Sequence, residues 1–256
     1  LTQTREITVN DLTNPNISYA SQTPNDYDKI NSDNIYINIT ASENNLENMS
    51  YYLYNESLNI TGLVGYWPMD RNTTINDTSY VVDVSGEGND GVAYNGTYWN
   101  GTGKINSGII FDGTDDYVDI VDDDSMSIGN GTDDHGFTVG GWARFEDPGN
   151  AKLIVSRYLD DSTREWFIEA TAGEAVRFII YDESANAFIG RITDASAVTT
   201  TQWHHVMATY NGSSTSAGIR IFIDGVPVSI SNTQAGSYIA NENLAIPTYL
   251  GFFFSG

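Results

Sequence analysis

The chain has 256 residues, of which 40% are hydrophobic and 12% aromatic, so it can build a packed core and is not a disordered tail. It carries 34 acidic against 11 basic side chains, a formal net charge of −23. A surface this acidic repels phosphate backbones and anionic lipid, which argues against nucleic-acid and membrane-surface binding.

Cross-links and membrane spans are also excluded. The sequence has no cysteine, so disulfides and thiol chemistry are absent. No run approaches the roughly 18 apolar residues of a membrane-spanning helix, and no signal peptide follows Leu1. We expect no membrane insertion in this segment; a secretion signal would have been removed or would lie upstream.

Residues 1–13 predict a single strand. Glu6 to Asn10 alternate polar and apolar side chains, and Asn14-Pro15 then ends the pattern. One strand cannot fold by itself. We therefore interpret residues 1–13 as the last strand of an upstream domain or as a strand exchanged with a neighbouring chain.

Residues 14–61 carry further strand signals. The segment from Asn34 to Thr40 places three isoleucines on one face, and a second strand pattern runs from Met49 to Tyr54. The order of these segments resembles the opening half of an immunoglobulin-like repeat of large archaeal and bacterial surface proteins. The resemblance implies a partial immunoglobulin-like β module.

Residues 62–256 predict the main domain. Period-two alternation recurs between turns rich in Gly, Asn and Asp, as in an antiparallel β-sandwich. Clear strand patterns are Gly108–Phe111, Phe137–Trp142, Val176–Tyr181 and Ile219–Ile223. The last is followed by Asp224-Gly225, a strong signal for a hairpin.

Six motifs of this region stand in the order found in laminin-G-like (concanavalin-A-like) jelly rolls. They are Leu63–Asp70 (LVGYWPMD), Val82–Gly91 (VDVSGEGNDG), Phe111–Val118 (FDGTDDYV), Phe137–Trp142 (FTVGGW), Gln202–Gly212 (QWHHVMATYNG) and Ile221–Val226 (IFIDGV). The resemblance implies an all-β jelly-roll sandwich over residues 62–256, with Leu63–Asp70 as its first strand.

The chain departs from the family pattern at its end. Family members continue past the strand at Tyr249–Gly251 to another core strand that begins G-x-I-D-E-V, which is absent here. We expect either that the sequence is a slice of a longer polypeptide or that a strand from elsewhere completes the sheet.

Acidic residues concentrate in two turns. Seven aspartates lie within 13 residues: Asp112, Asp115, Asp116, Asp119, Asp122, Asp123 and Asp124. Because Ca²⁺ prefers carboxylate and carbonyl oxygens, and because the family resemblance supports a structural ion, we predict a Ca²⁺ site. The predicted ligands are Asp83, Asn89, Asp90, Asp112, Asp115 and Asp116, with Asp133-Asp134 as a weaker candidate. The alternative is a solvated acidic face in which Asp serves as a turn residue.

Aromatic residues divide into two groups. Trp67, Phe111, Trp142, Trp203 and Phe222 fall in strand motifs and are predicted to lie in the core. Tyr98-Trp99 lies in a glycine-rich stretch outside any strand pattern. With Tyr158 and Trp166, these residues are our candidates for an exposed platform that stacks on a ligand.

Catalytic patterns are lacking. His204 and His205 are adjacent on a strand and point to opposite faces, and His135 stands alone. Glycosidases of this fold need two carboxylates that flank the bond, commonly as Glu-x-Asp-x-x-Glu, and this pattern is absent. We predict that the chain is not an enzyme.

Asn-x-Ser/Thr acceptor triplets number eleven, where composition alone predicts roughly five. They begin at Asn16, Asn38, Asn48, Asn55, Asn59, Asn72, Asn76, Asn95, Asn100, Asn130 and Asn211. This excess indicates N-glycosylation and an extracellular location. Accidental triplets in an Asn- and Thr-rich β protein are the alternative.

Two functions fit these observations. The first is a non-catalytic binding or adhesion module of a larger glycosylated cell-surface or secreted protein, which recognises a glycan or a protein. The second is a structural subunit of an extracellular filament or surface layer, assembled by strand exchange with copies of itself.

Overall fold

The computed structural model describes residues 62–70, 73–75, 78–146 and 151–251, and two short strands before them. The chain divides into compact units at 1–63 and 64–256. In the first unit, β1 (Asn16–Tyr19) pairs antiparallel with β2 (Ile39–Ser42). The predicted strands at 6–10 and 49–54 lie outside the described residues, so the orphan strand and the immunoglobulin-like module stay predictions.

The regular secondary structure described in the second unit is almost entirely β-strand. They are β3 (Thr73–Ile75), β4 (Thr78–Val81), β5 (Gly91–Tyr94), β6 (Tyr98–Asn100), β7 (Gly108–Ile110), β8 (Tyr117–Ile120), β9 (Gly136–Arg144), β10 (Lys152–Asp160), β11 (Thr163–Ala170), β12 (Val176–Asp182), β13 (Ala187–Thr193), β14 (Trp203–Asn211), β15 (Ile219–Ile223), β16 (Val226–Pro227), β17 (Ile230–Ala235) and β18 (Thr248–Leu250). Two 3-10 turns occur at Asp124–Met126 and Ser216–Gly218. In the part of the chain described, no helix has the length and apolar character needed to cross a membrane.

The strands form two main antiparallel sheets. The large sheet has the order β17-β13-β12-β11-β10-β18-β8-β5-β4-β3, and the small sheet has the order β16-β15-β14-β9. A separate ribbon pairs β6 with β7. The prediction of an all-β jelly-roll sandwich is confirmed. The predicted hairpin at Asp224-Gly225 is confirmed too, with positive φ at both turn residues and β15 paired to β16.

The core lies between the two sheets and follows from strand alternation. In β14, Val206, Ala208 and Tyr210 point inward and are at most 3% exposed, while the residues between them are more accessible. The large sheet supplies Val118, Ile120, Ile168, Phe178 and Ile180, and β15 supplies Ile219, Ile221 and Ile223. Burying one such Ile stabilises the fold by about 1.5 to 3 kcal/mol.

The prediction that five aromatic rings lie in this core is only partly right. Trp67 and Phe111 pack against the core and are partly buried. Trp142, Trp203 and Phe222 instead lie on the outer face of the small sheet, and 41% of Trp142 is exposed. The reason is the strand register, because in β9, β14 and β15 the residues next to Trp142, Trp203 and Phe222 are the ones that point into the core.

The predicted first strand, Leu63–Asp70, is not a strand. Its polar backbone groups bond to the turn at 83–90 rather than to a ladder: Tyr66 N–H donates to Asp83 Oδ1 at 2.9 Å, and Tyr66 O accepts from Val84 N–H at 2.9 Å. Val64, Trp67 and Met69 nevertheless pack against the core. The segment therefore contributes apolar packing without strand pairing.

A buried ion pair joins the middle of the large sheet to its loops. Arg157 lies opposite Trp166 and Tyr158 opposite Arg164, so Glu165 is an extra residue in β11, a β-bulge. The Arg157 guanidinium donates to both Glu165 oxygens at 3.0 and 2.9 Å and to Asp122 at 2.7 Å. Both members of the pair are 0% exposed, so removing either would leave an uncompensated buried charge.

The small sheet ends at β9. Within the described ranges, β9 pairs with β14 alone, and its inward residues Phe137 and Val139, like Phe145 just after the strand, are only partly buried. Their partners in β14, Tyr210 and Ala208, are at most 3% exposed. The nine-residue strand β9 therefore presents a pairing edge beside an incompletely covered margin of the core.

Candidate functional site

The turn between β7 and β8 gathers three of the predicted metal ligands. One ligand oxygen from each of Asp112, Asp115 and Asp116 lies within 4.8 Å of the others. Gly113, at φ +78°, allows the tight turn, and Asp112 Oδ1 accepts from Thr114 N–H at 2.7 Å. Local turn geometry thus brings like charges together, which a bound cation would offset.

Asp116 is the buried member of this cluster. The residue is 5% exposed, and its Oδ2 accepts from the Asp112 N–H at 2.9 Å. Its Oδ1 is buried and has no hydrogen-bond partner in the described structure. Burial raises the pKa of Asp116; the Asp112 N–H opposes this, and the charges of Asp112 and Asp115 add to it. A buried carboxyl group with one unpartnered oxygen, close to two further carboxylates, fits a hard cation.

The turn between β5 and β6 packs beside the cluster. Asn95 Nδ2 donates to the carbonyl oxygen of Asp115 at 2.9 Å, and a Cβ on Gly96 would lie 3.2 Å from Asp116 Oδ1. The rings of Tyr94 and Tyr98 flank this turn and are 42% and 52% exposed. We call Tyr94, Tyr98, Asp112, Asp115 and Asp116 the rim site.

The other three predicted ligands build a hydrogen-bonded turn instead. The Asp83 carboxylate accepts four bonds, from the N–H groups of Tyr66, Ser85 and Asn89 and from the Ser85 hydroxyl, at 2.7 to 3.0 Å. Asp90 Oδ1 accepts from Asp83 N–H, and Asn89 Nδ2 donates to Val64 O. Neither Asp83 nor Asp90 joins a group of three metal-ligating side chains among the described residues. Their assignment as metal ligands stays a prediction.

The remaining acidic candidates mostly have structural partners. Asp122 pairs with Arg157, Asp123 caps a 3-10 turn by accepting from Ser125 N–H, and Asp124 accepts from Asn243. Asp134 accepts from the hydroxyls of Tyr210 and Tyr238 at 2.6 and 2.8 Å and from Asn241 N–H at 2.8 Å. Asp134 therefore joins several loops by hydrogen bonds, and the assignment of Asp133-Asp134 as a weaker metal candidate stays a prediction.

The four predicted platform residues separate by burial. Tyr98 is exposed, on β6 rather than in a loop, whereas its neighbour Trp99 turns inward and packs against the core. Tyr158 is partly buried, and its hydroxyl donates to Asp161. Trp166 is 1% exposed and its indole N–H donates to Met126 O at 3.0 Å, so it is a core residue and not a platform.

Sequence reasoning missed the exposed tryptophan. Trp142 stands on the outer face of β9, with Lys104 Nζ 4.6 Å from the centre of its ring and the His205 ring 5.2 Å away. The alternation of Phe137, Val139 and Gly141 in β9 contained the signal, since it fixes Trp142 on the opposite face.

A family model confirms what the motifs indicated. The model of the concanavalin A-like lectin/glucanases superfamily, in its laminin G form, matches residues 112–251, more than half of the 256-residue chain. The chain belongs to this superfamily. No curated protein matches the sequence.

Two solved structures resemble this superfamily member in fold. One is a botulinum neurotoxin type C structure, described in terms of two ganglioside molecules needed for cell entry, at 12% identity and a TM-score of 0.44. The other is the receptor binding domain of botulinum neurotoxin D, at 14% identity and a TM-score of 0.45. The matches cover 75% and 72% of this chain but only 43% and 48% of the neurotoxin chains.

Several acceptor triplets of this superfamily member begin at strand ends or in turns. Asn100, Asn130 and Asn211 each accept, through Oδ1, from the N–H two residues later. Asn130 and Asn211 are exposed, as is Asn95. Asn16 lies in β1, and Asn38, Asn48, Asn55, Asn59, Asn72 and Asn76 lie outside the described residues. Their glycosylation stays a prediction.

Replacing Asp83 by Asn tests the structural role of its turn. Although burial opposes the charged form, the four hydrogen bonds hold the pKa of Asp83 below 3.8. Its contribution is therefore present above the unfolded pKa and is lost as the pH falls through the folded pKa. We expect Asp83→Asn to lower the free energy of unfolding by about 2 to 4 kcal/mol at pH 7.

Urea denaturation at a series of pH values measures this difference. We expect the gap between Asp83→Asn and the unsubstituted chain to shrink below pH 3.8, the ordinary value for the group. Glu87→Gln, an exposed substitution in the same turn, is the control and should change little. A pH-independent gap would contradict the role of the Asp83 charge.

Proposed function

We propose that this chain is a non-catalytic, extracellular binding module of a larger glycosylated surface or secreted protein, and that its rim site recognises a glycan with the help of Ca²⁺. The observation that carries the proposal is the buried Oδ1 of Asp116, which has no hydrogen-bond partner within the described structure, in a carboxyl group that has one oxygen within 4.8 Å of oxygens of Asp112 and Asp115. The exposed residues Tyr94 and Tyr98 flank the turn that packs beside this cluster.

The donor set of the cluster supports calcium over other metals. All three ligands are carboxylate oxygens, and neither His nor Cys belongs to the cluster. Ca²⁺ takes about six to eight oxygens, so three carboxylates leave positions for water or for the hydroxyls of a sugar. Asp112, Asp115 and Asp116 would hold the ion, which supplies positive charge for hydroxyl oxygens.

The tyrosines support a glycan as the ligand. Tyr94 stacks on Tyr117 at 5.1 Å between ring centres, which fixes its orientation beside the acidic turn. Tyr98 is 52% exposed on the neighbouring strand. Flat aromatic faces beside a few oriented polar groups are the features with which proteins bind small polar ligands such as sugars.

The buried carboxylates of the large sheet support a non-catalytic role. Glu165 is 0% exposed and paired with Arg157, and Glu169 is 5% exposed and paired with Arg177. A glycosidase needs two accessible carboxylates that flank the bond. With these groups buried and paired, the module is expected to bind a glycan without cleaving it. Acceptor triplets on exposed turns support an extracellular location.

Calcium binding is tested by thermal and urea unfolding of the full chain with millimolar Ca²⁺ or with chelator. A Ca²⁺ concentration about one hundred times Kd would add about 2.7 kcal/mol to the free energy of unfolding. We expect Asp116→Asn to abolish this gain and, because it removes a buried charge between two like charges, to stabilise the metal-free chain. Asp133→Asn, an exposed substitution outside the cluster, should keep the gain. If Asp116→Asn still responds to Ca²⁺, the assignment is wrong.

Glycan recognition is tested with a glycan array, followed by calorimetry on the best neutral glycan with Ca²⁺ or chelator. We expect Tyr98→Ala to weaken binding about tenfold, or about 1.4 kcal/mol, because it removes the stacking face. Tyr66→Ala is the matched control, since 46% of Tyr66 is exposed outside the rim site. Binding to no glycan in either condition contradicts the proposal, and cleavage products in the mixtures contradict its non-catalytic part.

A second candidate function, a filament or surface-layer subunit, is favoured by the edge of β9. The strand has one partner among the described residues, and the inward side chains Phe137, Val139 and Phe145 are partly exposed there. An added strand would pair with the edge and cover these side chains. The alternating segment Glu6–Asn10 of another copy has the sequence pattern that this edge requires.

Sedimentation of the full chain and of a chain lacking residues 1–12 tests this candidate. We expect the full chain to form long assemblies that lose cohesion on deletion, since the donated strand is removed. A full chain that stays a monodisperse monomer over the accessible concentration range would exclude strand exchange with copies of itself.

A further inference from the structure

The exposed basic residues in the described part of the second unit lie on one surface. Three basic side chains are exposed among the described residues: Lys104, Arg144 and Arg220. The other basic residues described are partly or fully buried. Arg157, Arg164 and Arg177 among them form ion pairs, and the exposed Arg144 also pairs with Glu146. On a chain with a net charge of −23, the location of the three exposed cations is therefore informative.

All three lie on the outer face of the small sheet. Arg144 is opposite Trp203 in the ladder of β9 and β14, and Arg220 is opposite Thr209 in the ladder of β14 and β15. Both positions alternate with the inward residues of their strands. Lys104 reaches the same face from the loop between β6 and β7, with its Nζ 4.6 Å from the centre of the Trp142 ring.

The same face carries the aromatic residues that the core does not use. Trp142 is 41% exposed, and Trp203 and Phe222 are partly exposed beside it. Strand spacing places Trp142 and Arg220 roughly 17 Å apart, two strands and four residues away from each other. We call this surface the basic–aromatic face; its residues are Lys104, Trp142, Arg144, Trp203, Arg220 and Phe222.

We propose that the basic–aromatic face binds an acidic glycan, a chain of sugars that carry carboxylates. The Lys104 ammonium lies over the Trp142 ring, so a sugar acid that packs against the edge of the indole can pair its carboxylate with this ammonium. Arg220, farther along the face, can pair with a second carboxylate of the same chain. The face thus combines flat apolar surface with spaced cations, which is what a sugar acid requires.

Two carboxylates lie close to cations of this face, since Glu146 pairs with Arg144 and Asp224 interacts electrostatically with Lys104. At physiological ionic strength the Debye length is about 8 Å, so a ligand on this face is screened from the carboxylates on distant surfaces. A second copy of the chain would bring its own charge of −23 to the contact, whereas a flexible glycan needs to approach only this face. The inference extends glycan recognition to a second surface and does not depend on Ca²⁺ at the rim site.

Calorimetry of the full chain in 1 mM chelator and about 0.15 M NaCl tests the inference, since Debye screening is then about 8 Å. The probes are polygalacturonate, which carries a carboxylate on each sugar, and pullulan, which is neutral. We expect polygalacturonate to bind at least about tenfold more tightly than pullulan. The double variant Lys104→Gln/Arg220→Gln should lose at least about tenfold in affinity for polygalacturonate, and Trp142→Ala should weaken it as well.

The control variant matches the change in charge. Ala185→Glu/Ala195→Glu also lowers the net charge by two, at exposed positions outside the face, and should bind polygalacturonate as the unsubstituted chain does. Equal binding of both polysaccharides, or unchanged binding by the double variant, overturns the inference. Self-association that the double variant abolishes, without polygalacturonate binding, assigns the face to a second copy and overturns it too. Because chelator is present throughout, failure of the rim site would leave these results unaffected.

Discussion

The period-two alternation of side chains in paired strands determines nearly everything else in this molecule. Once Val206, Ala208 and Tyr210 are committed to the core, the residues between them must face outward, and the β9 ladder then fixes Trp142 beside His205. The same rule places Val118 inside and Asp119 outside on β8. Core formation and the composition of each outer face are therefore one constraint, since a register shift would exchange them.

Carboxylates perform two different tasks in this acidic protein. Asp83 and Asp134 act as acceptors that organise loops, and the burial cost of each is offset by several N–H or O–H donors. The turn at Asp112–Asp116 has too few hydrogen-bond donors for its carboxylates. Asp116 has one oxygen bonded to an amide and one without a partner in the described structure. The count of donors around each carboxylate, rather than the density of acidic residues, separates a structural turn from a candidate ion site.

Motifs with strong local signals were predicted correctly from the sequence. The alternation in β12 and β15 and the Asp-Gly turn predicted strands and a hairpin, and the order of six motifs predicted the superfamily. Predictions that depended on partners far along the chain were less successful. Leu63–Asp70 has the sequence pattern of a strand, but its backbone bonds to a turn. Trp166 has the pattern of an exposed platform residue, but it is buried and its indole N–H donates to Met126 O, 40 residues away. Local pattern indicates that a residue is aromatic and in a strand, but the ladder decides which side it faces.

The acceptor triplet at Asn95 has its middle position fixed by its neighbour. Gly96 adopts φ +109°, which disfavours any side chain, and a Cβ there would stand 3.2 Å from Asp116 Oδ1. Asn95 itself is tied through its amide to Asp115. A mutation that reshapes the aspartate loop would therefore disturb the geometry of the Asn95 triplet, and enlarging the central residue of the triplet would press on the aspartate. A substitution in either turn therefore changes the space open to the other.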